Sequence, residues 1–168
     1  FRFPGRSVSE MIATGLPVTF ELAFYAILIA LLIGVSSGVL AALKRNTYLD
    51  FIPMAIAMIG ICVPTFLMGP LLVLIFGINL EILPVSGWGQ LPGDKILPSI
   101  TLGFAYAAYI ARLSRGGMLE VLNQDFIRTA RAKGLTEKNV VIKHAMQGGL
   151  IPVVSFLGPA IAGLLAGS

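Results

Sequence analysis

The residues that could support chemistry are few, and their spacing does not form a catalytic site. The 168 residues include one histidine and one cysteine, and the dipeptide Gly-Lys does not occur. Zinc peptidase motifs need two histidines and P-loops contain Gly-Lys, so the sequence excludes both kinds of site. Cys62 lies in an apolar run, which predicts a buried, unreactive thiol and no disulfide framework. We therefore expect no enzyme activity and no cofactor bound by this chain.

The segment with the clearest functional pattern is the run D-F-I-R-T-A-R-A-K-G, from Asp125 to Gly134. Residues 126–133 predict a short basic helix, and Gly134 can adopt the left-handed conformation that ends a helix. A helix of this length is marginal in water, because isolated helices shorter than about 12 residues rarely persist. The pattern therefore indicates a helix that packs against a partner surface.

Helical spacing assigns faces to this segment. The small side chain of Ala130 predicts a close approach to a partner. Thr136 suits the N-cap of a second helix, so that the two helices form a bracket against the membrane surface. The pattern alone equally allows a basic amphipathic loop held by anionic lipid. One predicted face carries Phe126, Ala130 and Lys133, and the neighbouring faces carry Ile127, Arg128 and Arg131.

The elements that position this segment are apolar. The chain is 57% hydrophobic and 12% charged, with a mean hydropathy of +0.91, so its polar residues are too few to coat a soluble globule. A membrane helix needs about 20 apolar residues. We predict an all-α, polytopic transmembrane bundle, a single domain over residues 1–168, and expect further spans at both ends. The predicted spans cover about residues 19–43, 51–78, 96–118 and 149–168.

The basic residues predict an orientation for these spans. Nine of the twelve lysine and arginine residues lie at or beyond the ends of the first and third spans. By the positive-inside rule, loops 44–50 and 119–147 are cytoplasmic and loop 79–95 is periplasmic or extracellular. Arg112 and Arg115 are expected to lift their charged heads to the interface. No basic and aromatic platform accompanies the positive charge, so a nucleic-acid partner is not expected.

Prolines and glycines predict local features of the helices. Pro64 and Pro70 predict kinks in the second span, which either improve packing or shape a substrate pathway. Gly34 and Gly38 have the G-x-x-x-G spacing, which we interpret as close helix packing within the chain. Ser7-Val8-Ser9-Glu10 predicts a capping box that opens a separate interfacial segment before the first span.

Several sequence runs resemble a known family. R-T-A-R-A-K-G-L (residues 128–135), K-H-A-M (143–146) and L-I-P (150–152) are similar to the inner-membrane permeases of ABC importers. A-A-L-K-R-N-T (41–47) and I-A-R-L-S-R-G (110–116) extend the resemblance along the chain. The nearest group is the oligopeptide, dipeptide and nickel branch.

This chain departs from the family pattern at two places. The family's cytoplasmic loop is named for Glu-Ala-Ala followed by a glycine, and here Arg128, Thr129 and Ala130 replace the triplet while Gly134 keeps the glycine position. The Ile-x-Leu-Pro ending is represented by residues 144–146, without its proline. Both departures resemble the version of the motif found in the peptide branch.

The resemblance implies a type I permease core with cytoplasmic coupling helices in the cell inner membrane. It implies a second permease subunit, two ATPase subunits that bind ATP and Mg²⁺, a periplasmic or lipid-anchored substrate-binding protein, and contact with membrane lipid. The implied substrates are peptides, with nickel or glutathione as alternatives within the family. The implied ATPase-coupling residues are Phe126, Ile127, Arg128, Thr129, Ala130, Arg131, Ala132, Lys133, Gly134 and Leu135.

Two other transport classes remain as alternatives. A secondary transporter would carry its energy source in its own spans, and a passive channel would need none. Proton-coupled transporters place acidic residues inside the membrane, and the sequence shows no inward-facing acidic pair. We therefore favour the ATP-driven permease.

Overall fold

Two long helices form the frame of the molecule in the computed structural model, which describes residues 7–167. Helix α1 spans Val8–Leu43 and α4 spans Ile96–Leu122. The predicted capping box is confirmed, because the Glu10 amide donates to the Ser7 hydroxyl (3.2 Å) and the Ser7 amide donates to the Glu10 carboxylate (3.1 Å). The prediction of a separate interfacial segment before the first span was wrong, because α1 continues without interruption through Pro17.

Glycines let α1 and α4 approach closely. A Cβ atom on Gly34 would lie 2.8 Å from the carbonyl oxygen of Ala107, and one on Gly38 would overlap the carbonyl oxygen of Ala111. On the opposite helix, a Cβ on Gly103 would lie 2.9 Å from the carbonyl oxygen of Ala26. The G-x-x-x-G spacing of α1 therefore serves packing within the chain, as predicted.

The second apolar run is broken rather than kinked. Helix α2 covers Tyr48–Cys62 and α3 covers Thr65–Leu72, continued by a π-helical segment, Val73–Asn79. The two halves are bent by 108°. The prediction of one kinked helix over residues 51–78 was therefore wrong. Pro64 adopts an extended conformation (φ −61°, ψ 144°), and a new helix starts after it. At Pro70 the helix continues, so the structure shows no break there.

A loop connects this bent pair to α4 and is tied to the N-terminal half of α1. The Trp88 indole donates to the Glu21 carboxylate at 3.0 Å, and the Lys95 ammonium pairs with the same carboxylate at 2.5 Å. The Asp94 carboxylate accepts hydrogen bonds from the amides of Gln90 (2.8 Å) and Leu91 (3.1 Å). These amide donors, Leu91 first, lower the pKa of Asp94 below its ordinary value.

The C-terminal part contains shorter helices followed by one apolar helix. Helix α5 covers Asp125–Ala132, α6 covers Glu137–Asn139, and a π-helical segment, Val140–Ala145, leads into α7 (Met146–Gly149). Helix α8 covers Ile151–Gly167, and the α6–α7 stretch meets it at an angle of 49°.

The lengths of the helices determine how many of them could cross a membrane. Within residues 7–167, α1 and α4 are each long and apolar enough to cross a bilayer, and the total reaches four if each bent pair is one span. Helix α4, which contains the predicted third span, continues to Leu122. The four-span topology stays a prediction.

Candidate docking surface

Helix α5 is held against the bundle by its inner face. Ile127 is fully buried and Ala130 is 7% exposed. The prediction that Ala130 marks contact with a separate partner was wrong, because its neighbours belong to this chain. Burying these apolar side chains stabilises a helix that would be marginal alone. The buried cluster comprises Ala42, Met118, Val121, Ile127, Ala130, Val140, Val141 and Ala145.

A glycine ends α5 in the way predicted. Gly134 has φ +78°, the left-handed region. Its amide donates to the carbonyl of Arg131 (2.9 Å), and the Leu135 amide donates to the carbonyl of Ala130 (3.4 Å). These two bonds form a Schellman motif, which satisfies carbonyls at the helix end and turns the chain toward α6.

An ion pair bridges that turn. The Arg131 guanidinium donates to the two Glu137 carboxylate oxygens at 2.6 and 3.1 Å. Arg131 lowers the pKa of the Glu137 carboxyl below its ordinary value, and Glu137 raises the pKa of Arg131. Thr136 occupies the predicted N-cap position of α6, but its side chain makes no capping hydrogen bond. The predicted helix-turn-helix arrangement is present, and the ion pair supports its turn. Its placement against the membrane surface stays a prediction.

The outer face of α5 is exposed. Phe126 is 46% exposed although it is a large aromatic residue. Arg128 pairs only loosely with Asp125, at 3.3 Å between exposed side chains. The predicted face joining Phe126, Ala130 and Lys133 therefore divides between the two sides of the helix. The exposed residues of the segment are Phe126, Arg128, Thr129, Arg131, Ala132, Lys133, Gly134 and Leu135.

A buried ion pair between α2 and α4 was missed by the sequence analysis. Asp50, 1% exposed, accepts hydrogen bonds from the Arg115 guanidinium at 2.5 and 2.8 Å. The amide of Asn46 also donates to Asp50, at 3.1 Å. Arg115 thus pairs with a carboxylate of this chain, a partner that the sequence analysis did not name. The sequence does contain a signal for this pair. Asp50 precedes the second apolar run, Arg115 follows the third, and both ends were predicted to lie on the same side of the membrane.

The backbones of α4 and α7 approach each other closely. A Cβ on Gly117 would overlap the carbonyl oxygen of Gly149, so both glycines are needed for the contact. Helix α5 lies between α4 and the π-helical segment Val140–Ala145 in the chain, and its buried residues Ile127 and Ala130 share one apolar cluster with residues of both. A force on α5 would therefore act on α4 and on the stretch that leads into α8.

The remaining candidate residues lie elsewhere. Pro64 immediately precedes α3 and Pro70 lies within it, outside the α5 bracket. Cys62 is exposed at the end of α2, so the expectation of a buried thiol was wrong. Among the described residues, 7–167, no group of three or more histidine, cysteine or acidic side chains could hold a metal ion. The bracket offers a surface for macromolecular contact and no arrangement for catalysis.

Known proteins resemble this chain along its length. The oligopeptide transport system permease protein OppB of Salmonella typhimurium is 46% identical over 169 residues, covering all of this chain and 55% of that protein. The same permease of Escherichia coli has the same identity and coverage. The dipeptide transport system permease protein DppB of Bacillus subtilis is 44% identical over 165 residues, covering 98% of this chain and 53% of that protein.

This chain thus spans about half the length of the curated relatives it matches. The long apolar helices agree with a membrane location. Residues 34–168 match the family described as binding-protein-dependent transport system inner membrane component, and the chain belongs to that family.

Proposed function

We propose that this chain forms part of the membrane-spanning subunit of an ATP-driven importer and that the outer face of α5 docks on an ATPase subunit. The observation that carries the proposal is the two-sided character of α5. Its inner face is buried among helices of the bundle, whereas its outer face presents Phe126 among basic side chains. An exposed aromatic residue with neighbouring arginines has the composition typical of a protein interface.

The mechanism follows from rigid-body coupling. ATP binding and hydrolysis would move the partner ATPase subunits, and the partner would displace α5. The Schellman turn and the Arg131–Glu137 pair hold α5 to the α6–α7 stretch, and the Gly117–Gly149 contact holds that stretch to α4. Displacement would thus reach the spanning helices as a change between two packed states. In this proposal the chain catalyses no reaction, and ATP and Mg²⁺ bind to the partner.

The relatives suggest the cargo and the other partners. The matched permeases are named for oligopeptide and dipeptide transport. We propose peptides as the substrate, a second permease subunit as the other half of the pathway, and a substrate-binding protein on the outer side. Loops 44–50 and 119–147 would face the cytoplasm, and loop 79–95 the periplasm or extracellular space.

The test removes the exposed aromatic side chain of α5. Phe126→Ala, in the full-length permease complex, should weaken ATPase-subunit association about 30-fold, the usual effect of truncating an interface anchor worth about 2 kcal/mol. The matched control is Tyr48→Ala, because Tyr48 is 83% exposed at the same end of the bundle but outside α5. Binding is measured by titrating purified ATPase subunits into permease held in nanodiscs.

Thermal midpoints separate docking from folding. Both side chains are exposed, so both variants should unfold at the temperature of the unmodified protein. Equal ATPase affinity in the two variants would refute docking through Phe126. Peptide uptake by the permease without ATPase subunits, driven by an ion gradient, would instead support a secondary transporter.

A further inference from the structure

A groove between α2 and α4 lies close to the buried ion pair and combines positive charge with apolar surface. Its volume is about 410 Å³. Helix α2 contributes the apolar side and α4 contributes two guanidinium groups. The lining residues that matter here are Asp50, Phe51, Met54, Met58, Arg112 and Arg115.

The charges of the groove do not cancel. Asp50 is engaged by Arg115 in a two-bond ion pair, which neutralises both groups. Arg112 is exposed, and in the part of the chain that the structure describes no carboxylate pairs with it. A guanidinium presents a planar set of donors that matches phosphate oxygens. The groove therefore has one cation available for an anionic group.

The apolar side has the chemistry of an acyl-chain contact. Phe51 and Met58 are exposed large side chains on α2, and Met54 is half-buried against Ala57, Ala108 and Ala111. These residues follow Asp50 along α2, so the apolar surface extends from the charged end toward the interior of the apolar run. Methionine side chains are flexible and adapt to irregular partners.

We propose that this groove binds one anionic phospholipid, with its phosphate on Arg112 and an acyl chain along Phe51 and Met58. The charge complementarity and the order of the charged and apolar parts along α2 select a lipid over a soluble anion. The site is separate from the docking face of α5, because none of the lining residues belongs to α5. Bound lipid would cover apolar side chains beside the Asp50–Arg115 pair and so stabilise the contact between α2 and α4.

The test measures lipid retention by the full permease complex. Purified complex in mild detergent is titrated with phosphatidylglycerol or with zwitterionic phosphatidylethanolamine, and bound lipid is counted by native mass spectrometry. Arg112→Gln should weaken phosphatidylglycerol binding about fivefold, the contribution of one cation near an anionic lipid surface. Arg112→Lys should retain most of the binding, because it keeps the charge. The matched control, Lys138→Gln, removes an exposed cation from α6 and should change binding less than twofold.

Two further experiments identify the ligand and the residues it contacts. A photoactivatable phosphatidylglycerol should crosslink to peptides containing Phe51 or Met58, and inorganic phosphate at millimolar concentration should not displace the lipid. Equal losses in Arg112→Gln and Lys138→Gln would show a general charge effect and overturn the proposal. Displacement by phosphate would indicate a soluble-anion site and would also overturn it. Unchanged lipid retention in Arg112→Gln with reduced assembly of the permease subunits would show that protein covers the groove, again against the proposal.

Discussion

Asp50 is the residue whose surroundings differ most from those of an ordinary surface carboxylate. It is buried, yet it accepts two hydrogen bonds from Arg115 and one from the backbone of Asn46. An ionised carboxylate in such a place is stable only because its oxygens have partners. Removing one partner leaves the other charge without compensation, so the pair acts as a unit that fixes the start of α2 to α4.

Asp50→Leu should destabilise the protein by about 2 to 4 kcal/mol, because Arg115 would remain partly buried without a partner. The double variant Asp50→Leu, Arg115→Met replaces both groups by apolar ones and should recover much of that loss. The measurement is the free energy of unfolding in detergent, arranged as a double-mutant cycle. Additive losses in the two single variants would contradict a coupled pair.

Several residues that were predicted correctly have roles that depend on their immediate neighbours in the chain. Gly134 ends a helix, and Ser7 and Glu10 start one, because capping uses bonds within a few residues. Ala130 was misassigned because its environment is set by α1, α4 and the π-helical segment, which are distant in sequence. Helical spacing groups residues into faces, but it does not tell which face meets the chain's own core.

At the scale of elements, α5 gains its stability from three different contacts. Its apolar side chains are buried, its C-terminal carbonyls are satisfied by the Schellman bonds, and its last turn is paired with Glu137. The ion pair lies between exposed groups and contributes only about 0.2 to 1 kcal/mol. The glycine turn contributes direction, since it sets how α5 enters any docking cleft.

Gly134→Ala should destabilise the α5–α6 turn by about 1 to 2 kcal/mol, because a residue with a Cβ is strained at φ +78°. Gly116→Ala is the matched control. Gly116 lies inside α4 with no atom within 4 Å of an added Cβ, so the change should be neutral or stabilising by up to about 1 kcal/mol. Hydrogen exchange of the α5 amides measures the effect, and equal exchange in both variants would argue against a strained turn.

The break between α2 and α3 shows the limit of sequence analysis at this scale. The sequence analysis predicted only a kink at Pro64. The residue before a proline avoids the helical region, and the structure places Val63 in an extended conformation (ψ 117°). The size of the bend depends on contacts that no local pattern contains. A Cβ on Gly60 would lie 2.9 Å from the Phe104 ring, and one on Gly69 would lie 3.5 Å from Thr101, so both halves pack on α4.

At the scale of the whole molecule, two ion pairs mark opposite ends of the bundle. Glu21 pairs with Lys95 at one end and Asp50 pairs with Arg115 at the other. Lys95, the residue before α4, and Arg115 on α4 are 20 residues apart, which corresponds to about 30 Å of helix. The hydrocarbon core of a bilayer is also about 30 Å thick. The charged groups therefore lie where the two membrane borders are expected.

The two ion pairs also fix the positions at which the chain enters α2 and leaves the loop after α3. Helix α2 begins beside Arg115, and the loop after α3 ends at Lys95, beside Glu21. The α2–α3 pair, with its 108° bend, and the loop after it together connect the two ends of the bundle. Positive charge then accumulates at the end that holds α5, which agrees with the predicted cytoplasmic side.

This arrangement predicts which positions react with a membrane-impermeant maleimide. In a Cys62→Ser background, needed because Cys62 is exposed, Tyr48→Cys and Asn139→Cys should label only in inside-out vesicles. Gln90→Cys should label only from the opposite side, because its amide is bonded to Asp94 beside the Lys95–Glu21 pair. Tyr48 is preferred to Asn46, whose φ of +61° disfavours most replacements.

The control for access is Ala26→Cys, a fully buried position on α1 that should label only after denaturation. Labelling of Gln90→Cys and Tyr48→Cys from the same side would mean that α2 and α3 form a re-entrant hairpin. The Lys95–Glu21 end would then lie on the same side of the membrane as α5, although α4 separates them by about 30 Å. Because a 27-residue apolar helix lying flat would expose its unpaired apolar surface to water, we expect opposite labelling.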